Sequence, residues 1–128
     1  MEAQITNGIK ISVETFFQPT HSIPVHGKFI FTYKINIENI SDQTVQLLRR
    51  HWFILDAYGE MREVEGEGVI GKQPVIEPNK NHIYTSWSQI PSPVGLMYGT
   101  YLMQNIDTQE PFNVVIPEFK LIAPSILN

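Results

Sequence analysis

Residues 29–38 read Phe29-Ile30-Phe31-Thr32-Tyr33-Lys34-Ile35-Asn36-Ile37-Glu38. Phe29, Phe31, Tyr33, Ile35 and Ile37 keep the odd positions, while Thr32, Lys34, Asn36 and Glu38 fill even ones beside Ile30. Side chains of an extended chain alternate between two faces, so five bulky residues in phase describe a strand with one face on a core. The polar run Asn39 to Gln43 ends it.

The same reading extends in both directions. Upstream, Ile9, Ile11 and Val13 alternate with Lys10, Ser12 and Glu14 through Phe17, and Pro19, Pro24 and Gly27 mark the loop that follows. Downstream, Val45 and Leu47 stand in odd positions but Trp52 and Ile54 in even ones, with Arg49 and Arg50 between. A phase change of one residue predicts a β-bulge, which would leave both arginines on its solvent side. Tyr58-Gly59 is a turn, Met61 to Glu65 a short strand, and the glycine-rich Gly66–Gly71 and proline-bounded Pro74–Pro78 read as short edge elements. Ile83, Thr85 and Trp87 alternate. Leu96 to Met103 is apolar on both faces, as for a central strand packed on each side. Phe112, Val114 and Ile116 form a strand closed by Pro117, and Phe119–Ile122 a separate, short, edge-like one. Nine prolines and eight glycines punctuate the chain, and no window shows a capped helical period. Short strands at that spacing predict one all-β domain over residues 1–128, an antiparallel immunoglobulin or fibronectin III-like sandwich, with a loose tail at Pro124–Asn128.

Composition excludes several functions. A net charge of −4 and pI near 5.5 leave no basic footprint for nucleic acid. No apolar run reaches the roughly 18 residues of a membrane span, and Met1 to Asn7 lacks a secretory pattern. Without cysteines there is neither disulfide framework nor thiolate metal site, which suits a reducing cytoplasm.

Two constellations invite a chemical reading. Gly66-x-Gly68-x-x-Gly71 has the spacing of a dinucleotide-binding loop, but Pro74, Val75, Ile76 and Pro78 forbid the helix that must follow. What remains is either a set of glycines serving an irregular strand edge, or an anion-binding nest of backbone amides assisted by Lys72, Arg50 and Arg62. Glu63, Glu65 and Glu67 would repel a phosphate there. Arg50 beside His51 forms the second constellation, against the plainer reading in which Trp52 is a buried sandwich aromatic. His21, His26, His51 and His82 lack metal-ligand spacing, so no metal is expected, nor any cofactor. Ser86 and Ser88 have no adjacent base, and nothing nominates a nucleophile. Surface recognition is left, with Phe16, Phe17 and Trp87 near strand ends as contact candidates.

Several stretches together resemble the ApaG family: Arg50-His51-Trp52, Gly66 through Pro74, Tyr84-Thr85-Ser86, Pro93 through Tyr101 and Phe112 through Pro117, in the family's order and spacing. The resemblance implies a fibronectin III-like sandwich, occurring as a stand-alone bacterial protein and within some F-box proteins, and an association with cobalt and magnesium efflux. Two residues depart from the family pattern: Glu67, where a neutral residue is common, and Trp87, where glycine is. The combined expectation is a non-enzymatic module that binds another protein, with self-association through edge strands such as Phe119–Ile122 as a further mode. The alternative is a phosphate or nucleotide sensor at Gly66–Gly71.

Overall fold

The computed structural model describes residues 1–124; the remainder of the expected tail lies outside the described residues. Nine strands form two antiparallel sheets. The first has the order β1-β2-β3-β7, from Glu2–Thr6, Ile9–Phe17, Phe29–Asn39 and Asn81–Ile90. The second has the order β5-β4-β8-β9, from Met61–Glu67, Val45–Asp56, Val94–Asn105 and Pro111–Ile122, and β6 (Val75–Ile76) also pairs with β4. Pro24–His26 adds one turn of 3-10 helix. The architecture is the expected all-β sandwich.

The odd residues of β3 are all buried, and Asn39 continues their row at its end. Ile9, Ile11 and Val13 of β2 lie beside them. From the opposing sheet come Leu47, Trp52, Met97, Tyr101 and Phe119, with Trp52 3% exposed and its ring centroid 5.4 Å from Tyr33 and 5.8 Å from Phe119. The expected bulge is present: Leu47 pairs with Met103 and Arg49 with Leu102, leaving Leu48 over. That extra residue moves Trp52 and Ile54 into the phase that Val45 and Leu47 occupied before it.

Two expectations are corrected, and two features are added. β8 is buried on one face only; on the other, Phe53 of β4 stacks on Tyr98 at 5.2 Å and on His51 at 4.6 Å, so the outer apolar row half-buries itself without a third layer. Phe119–Ile122 is not a separate strand, because β9 runs through Pro117. Met97 pairs with Phe119 and Gly99 with Ile116, so Pro117 falls in a bulge, where a missing N–H costs the ladder nothing. The alternation of Ile83 and Trp87 is real but faces outward, with Tyr84, Ser88 and Ile90 filling the inner face of β7. Finally, the N-terminal residues form β1, joined to β2 by a two-residue turn whose Asn7 and Gly8 have φ of 50° and 77°. That is the Asn-Gly hairpin turn that matches strand twist.

Asn39 is fully buried and polar. Its Nδ2 donates to the carbonyls of Gln43 (2.7 Å) and Ile76 (2.9 Å), and its Oδ1 accepts from the Ser41 N–H (3.0 Å) and hydroxyl (2.6 Å). Ile76 belongs to the other sheet, so this side chain ties the two layers together. Asn39→Ala would take the side-chain donor from the buried Ile76 carbonyl and the acceptor from Ser41, while the Gln43 carbonyl keeps the Ser41 hydroxyl at 3.2 Å, and a buried unsatisfied group costs about 1–3 kcal/mol. The expected outcome is a loss of about 3 kcal/mol in urea denaturation with an unchanged m-value.

Candidate functional site

The two long edges of the sandwich are unlike. On one, β1 and β9 meet, with the Val115 N–H donating to Thr6 Oγ1 at 3.3 Å and Asn7 Nδ2 to the Asn113 carbonyl at 3.4 Å. On the other, β5 and β7 part, leaving a cleft of about 480 Å³. Its floor is Trp52, Ile54, Val64 and Met97; its polar groups come from Tyr33, Arg50, Arg62, Ser86, Ser88 and Gln89; and Trp87 stands at its rim.

Arg50 is here through the bulge. Sharing the phase of Trp52, it turns into the cleft instead of lying on the solvent side, as expected from sequence, and is half-buried. Its guanidinium lies over Gly66, where an added Cβ would come 2.9 Å from Nη1. Nη1 donates to the carbonyls of Glu67 (2.9 Å) and Gly68 (3.1 Å). At the other end Arg62 reaches across the gap, its Nη2 donating to Ser88 Oγ at 3.3 Å and the Gln89 carbonyl at 3.1 Å. Each guanidinium uses one terminal nitrogen for these bonds, and a guanidinium carries five N–H donors. Neither has a carboxylate partner among the described residues.

Among the described residues, no carboxylate lines this cleft. Glu63, Glu65 and Glu67 alternate with Arg62, Val64 and Gly66 along β5, so they face away from it. Glu63 and Glu65 meet His51 on the outer face of the sheet, at 3.2 Å from Nε2 and 3.8 Å from Nδ1. Nε2 is nonetheless closed to solvent and without a hydrogen-bond partner among the described residues. His51, Glu63 and Glu65 bring three metal-type donors together. Three donors are fewer than the four of a closed structural zinc site, and they stand exposed or half-exposed on a strand face, where acidic groups are common without an ion.

The glycine turn has its own geometry. Gly68 donates its N–H to the Leu48 carbonyl at 2.8 Å, in register with the β4–β5 pairing, and Gln73 Nε2 donates to the same oxygen at 3.0 Å. Val69 and Lys72 exchange N–H···O bonds of 2.8 and 3.0 Å around Ile70 and Gly71, whose φ values are 47° and 70°. The amides of Gly68, Val69 and Lys72, which the nest reading would aim at an anion, are therefore already bonded within the protein. Lys72 is felt at His82, whose pKa is lowered first by burial and then by that charge. Of the sequence-derived anion set, Arg50, Gly66 and Gly68 converge, and Gly71 and Lys72 close the turn beyond them.

Of the contact candidates, Phe16 and Trp87 flank Thr32 in one row across β2, β3 and β7, and are 44% and 64% exposed. Trp87 also lines an apolar hollow of about 320 Å³ with Gln18, His21, Ile30 and Thr32. Phe17 faces the other way and packs on Phe31 with centroids 5.3 Å apart. Arg62, Ser86, Ser88 and Tyr33 complete the cleft and were not singled out as a group from sequence, though Arg62 shares a strand face with Gly66.

Behind Arg50 the Tyr84 and Tyr101 hydroxyls bond to one another in the core. Burial pushes both well above the usual tyrosine value, and raises Tyr33 too, against its bond with Ser86 and the nearby Arg50 charge.

The chain has clear relatives. The model of the family described as ApaG domain matches residues 19–105. The protein ApaG of Acidithiobacillus ferrooxidans is 45% identical over 128 residues, covering 100% of each chain. That of Vibrio cholerae is 47% identical over 121 residues, 94% of each. A crystal structure of an ApaA protein from Bordetella pertussis superposes with a TM-score of 0.88 at 36% identity, covering 91% of this chain and 94% of that one.

Two measurements test this geometry. An added Cβ at Gly68 would overlap the Lys72 carbonyl oxygen at a φ of 62°, whereas Ile70 is a β-branched residue held at positive φ. Gly68→Ala should therefore cost about 3 kcal/mol in chemical denaturation, while Ile70→Asn should gain about 1 kcal/mol. Alkali provides the second. A tyrosine whose folded pKa is raised contributes stability that is whole below the unfolded value of about 10 and is lost between there and the folded value. Stability should fall as pH climbs past about 10, with the 295 nm phenolate signal of Tyr84 and Tyr101 appearing only as the fold opens.

Proposed function

This chain belongs to the ApaG domain family, and from that premise we propose that it is a non-enzymatic, fibronectin III-type binding module that engages another protein through its β7 side. The observation that carries the reading is Trp87, 64% exposed at the rim shared by the cleft and the outer hollow, with Phe16 in the same row. A tryptophan held out of the core leaves a large apolar area in water. Tryptophan is also among the residues that dominate binding energy when a partner covers it.

The rest of the molecule is consistent with this assignment of roles. Ser86 and Ser88 have no histidine or carboxylate beside them in the cleft to take a proton. On this reading the module works in the cytoplasm, in keeping with a chain free of cysteine, and needs no cofactor. The efflux association implied by the family resemblance is then exercised through the partner, as no helix of the described residues is long and apolar enough to cross a membrane.

Affinity capture from a lysate of the organism that makes this chain tests the proposal. Wild-type protein should retain a specific partner, and Trp87→Asp and Phe16→Asp should each lose it while unfolding at wild-type denaturant concentrations. Neither side chain belongs to the buried core, so neither change empties it. A wild-type capture no different from bare resin would overturn the reading.

A further inference from the structure

The cleft between β5 and β7 has a chemistry of its own. Both bordering strands are sheet edges: β5 pairs only with β4, and β7 only with β3. The interior face of β5 presents Arg62, Val64 and then Gly66, on which the Arg50 guanidinium lies. Arg62 and Gly66 are four residues apart, about 13 Å along a strand. The cleft therefore carries a cation towards each end and an apolar stretch of Trp52, Ile54, Val64 and Met97 between. Both arginines keep unused N–H donors, and the three glutamates of β5 lie on its opposite face.

A single compact anion would use one end of such a cleft and leave the apolar middle wet. An extended segment fits the whole of it. Its alternate side chains would cover the apolar floor, its carboxylates would meet the arginine forks, and its backbone would find unpaired groups on the flanking strand edges. The structure holds both sheet edges open here while Thr6 and Asn7 close the opposite side.

Building on the reading of this chain as a protein-binding module, we propose that the β5–β7 cleft receives an extended acidic peptide segment of the partner, with carboxylates about four residues apart held by Arg50 and Arg62. Charge complementarity is what selects the occupant: two guanidiniums without carboxylate partners, and no acidic side chain among the residues lining the cleft. Trp87 at the rim would cover the segment where it enters.

The test titrates isotope-labelled full-length chain with a blocked heptapeptide carrying glutamate at its second and sixth positions on a threonine and valine background. A peptide with glutamine in both places is the control. The expected result is saturable movement of the amides of Arg50, Arg62, Gly66 and Ser86 to Gln89, at least about tenfold tighter for the glutamate peptide, as a charge-assisted bond allows. Affinity should fall with added salt, and Arg62→Gln should weaken it about tenfold; this exposed side chain can be replaced without emptying the core. Arg62→Lys, which keeps the charge but not the fork, should fall between. Absence of shifts at millimolar peptide, or equal binding of the two peptides, would sink the proposal. So would pyrophosphate or citrate alone moving the same amides as strongly, since the cleft would then be a small-anion site. If the heptapeptide fails while Trp87→Asp still abolishes partner capture, the binding-module reading stands and only this assignment of the cleft falls.

Discussion

One extra residue in β4 governs the rest of this structure. Leu48 has no partner on β8, and its insertion reverses the facing of every residue after it. Without the bulge Trp52 would point to solvent and the cluster it forms with Tyr33, Tyr101 and Phe119 would lose its centre. The same half-turn brings Arg50 inside and sends His51 out. The Leu48 carbonyl points to the β5 side, where the Gly68 N–H continues the β4–β5 ladder and the Gln73 side chain adds a second donor. The spaced glycines thus have a structural use: Gly66 leaves room for the Arg50 guanidinium, and Gly68 folds the chain back so its amide reaches the bulge. A pattern that looks like a phosphate loop serves here to seat an irregular strand.

The unequal edges of the sandwich follow from where the chain can still form bonds. At the β1–β9 edge, side chains of Thr6 and Asn7 reach backbone groups of β9 and close the layers together. At the β5–β7 edge the one side chain that crosses, among the described residues, is Arg62, which bonds to Ser88 and Gln89. Polar groups line that gap because the interior face of β7 changes from Tyr84 to Ser86 and Ser88 before returning to Ile90. The outward row of the same strand carries Ile83 and Trp87 among Asn81, Thr85 and Gln89, while two serine hydroxyls stand between Tyr84 and Ile90 on its inner face. Both proposed contacts, the rim tryptophan and the acidic segment, depend on this strand.

Much of the architecture was legible in the residues themselves. The alternation in Ile9–Val13 and Phe29–Ile37, and the phase change between Leu47 and Trp52, are local properties of an extended chain, so they could be read without knowing what packs on what. Asn7-Gly8 is an equally local hairpin signal, and β1 follows from it once the turn is recognised. The strand through Pro117 was harder, because a proline stops a ladder unless a bulge excuses its missing N–H, and that bulge depends on β8. The both-sided apolarity of β8 was ambiguous for a similar reason: Phe53, Tyr98 and His51 shelter one another on an open face, which from sequence looks the same as burial under another layer.

The candidate site divides along the same line. Sequence alone determined that a bulge lies beside Arg50 and that Trp52 belongs to the core, and narrowed the glycines to an irregular edge or an anion nest, since each depends on neighbours a few positions away. Only the tertiary structure decided that Arg50 and Arg62 share a cleft, that Glu63, Glu65 and Glu67 face away from it, and that Ser88 meets Arg62 across 26 residues of chain. Those outcomes depend on how two sheets are registered and which of their edges stay apart. Such relations are set by packing between distant segments and leave no periodic trace in either one.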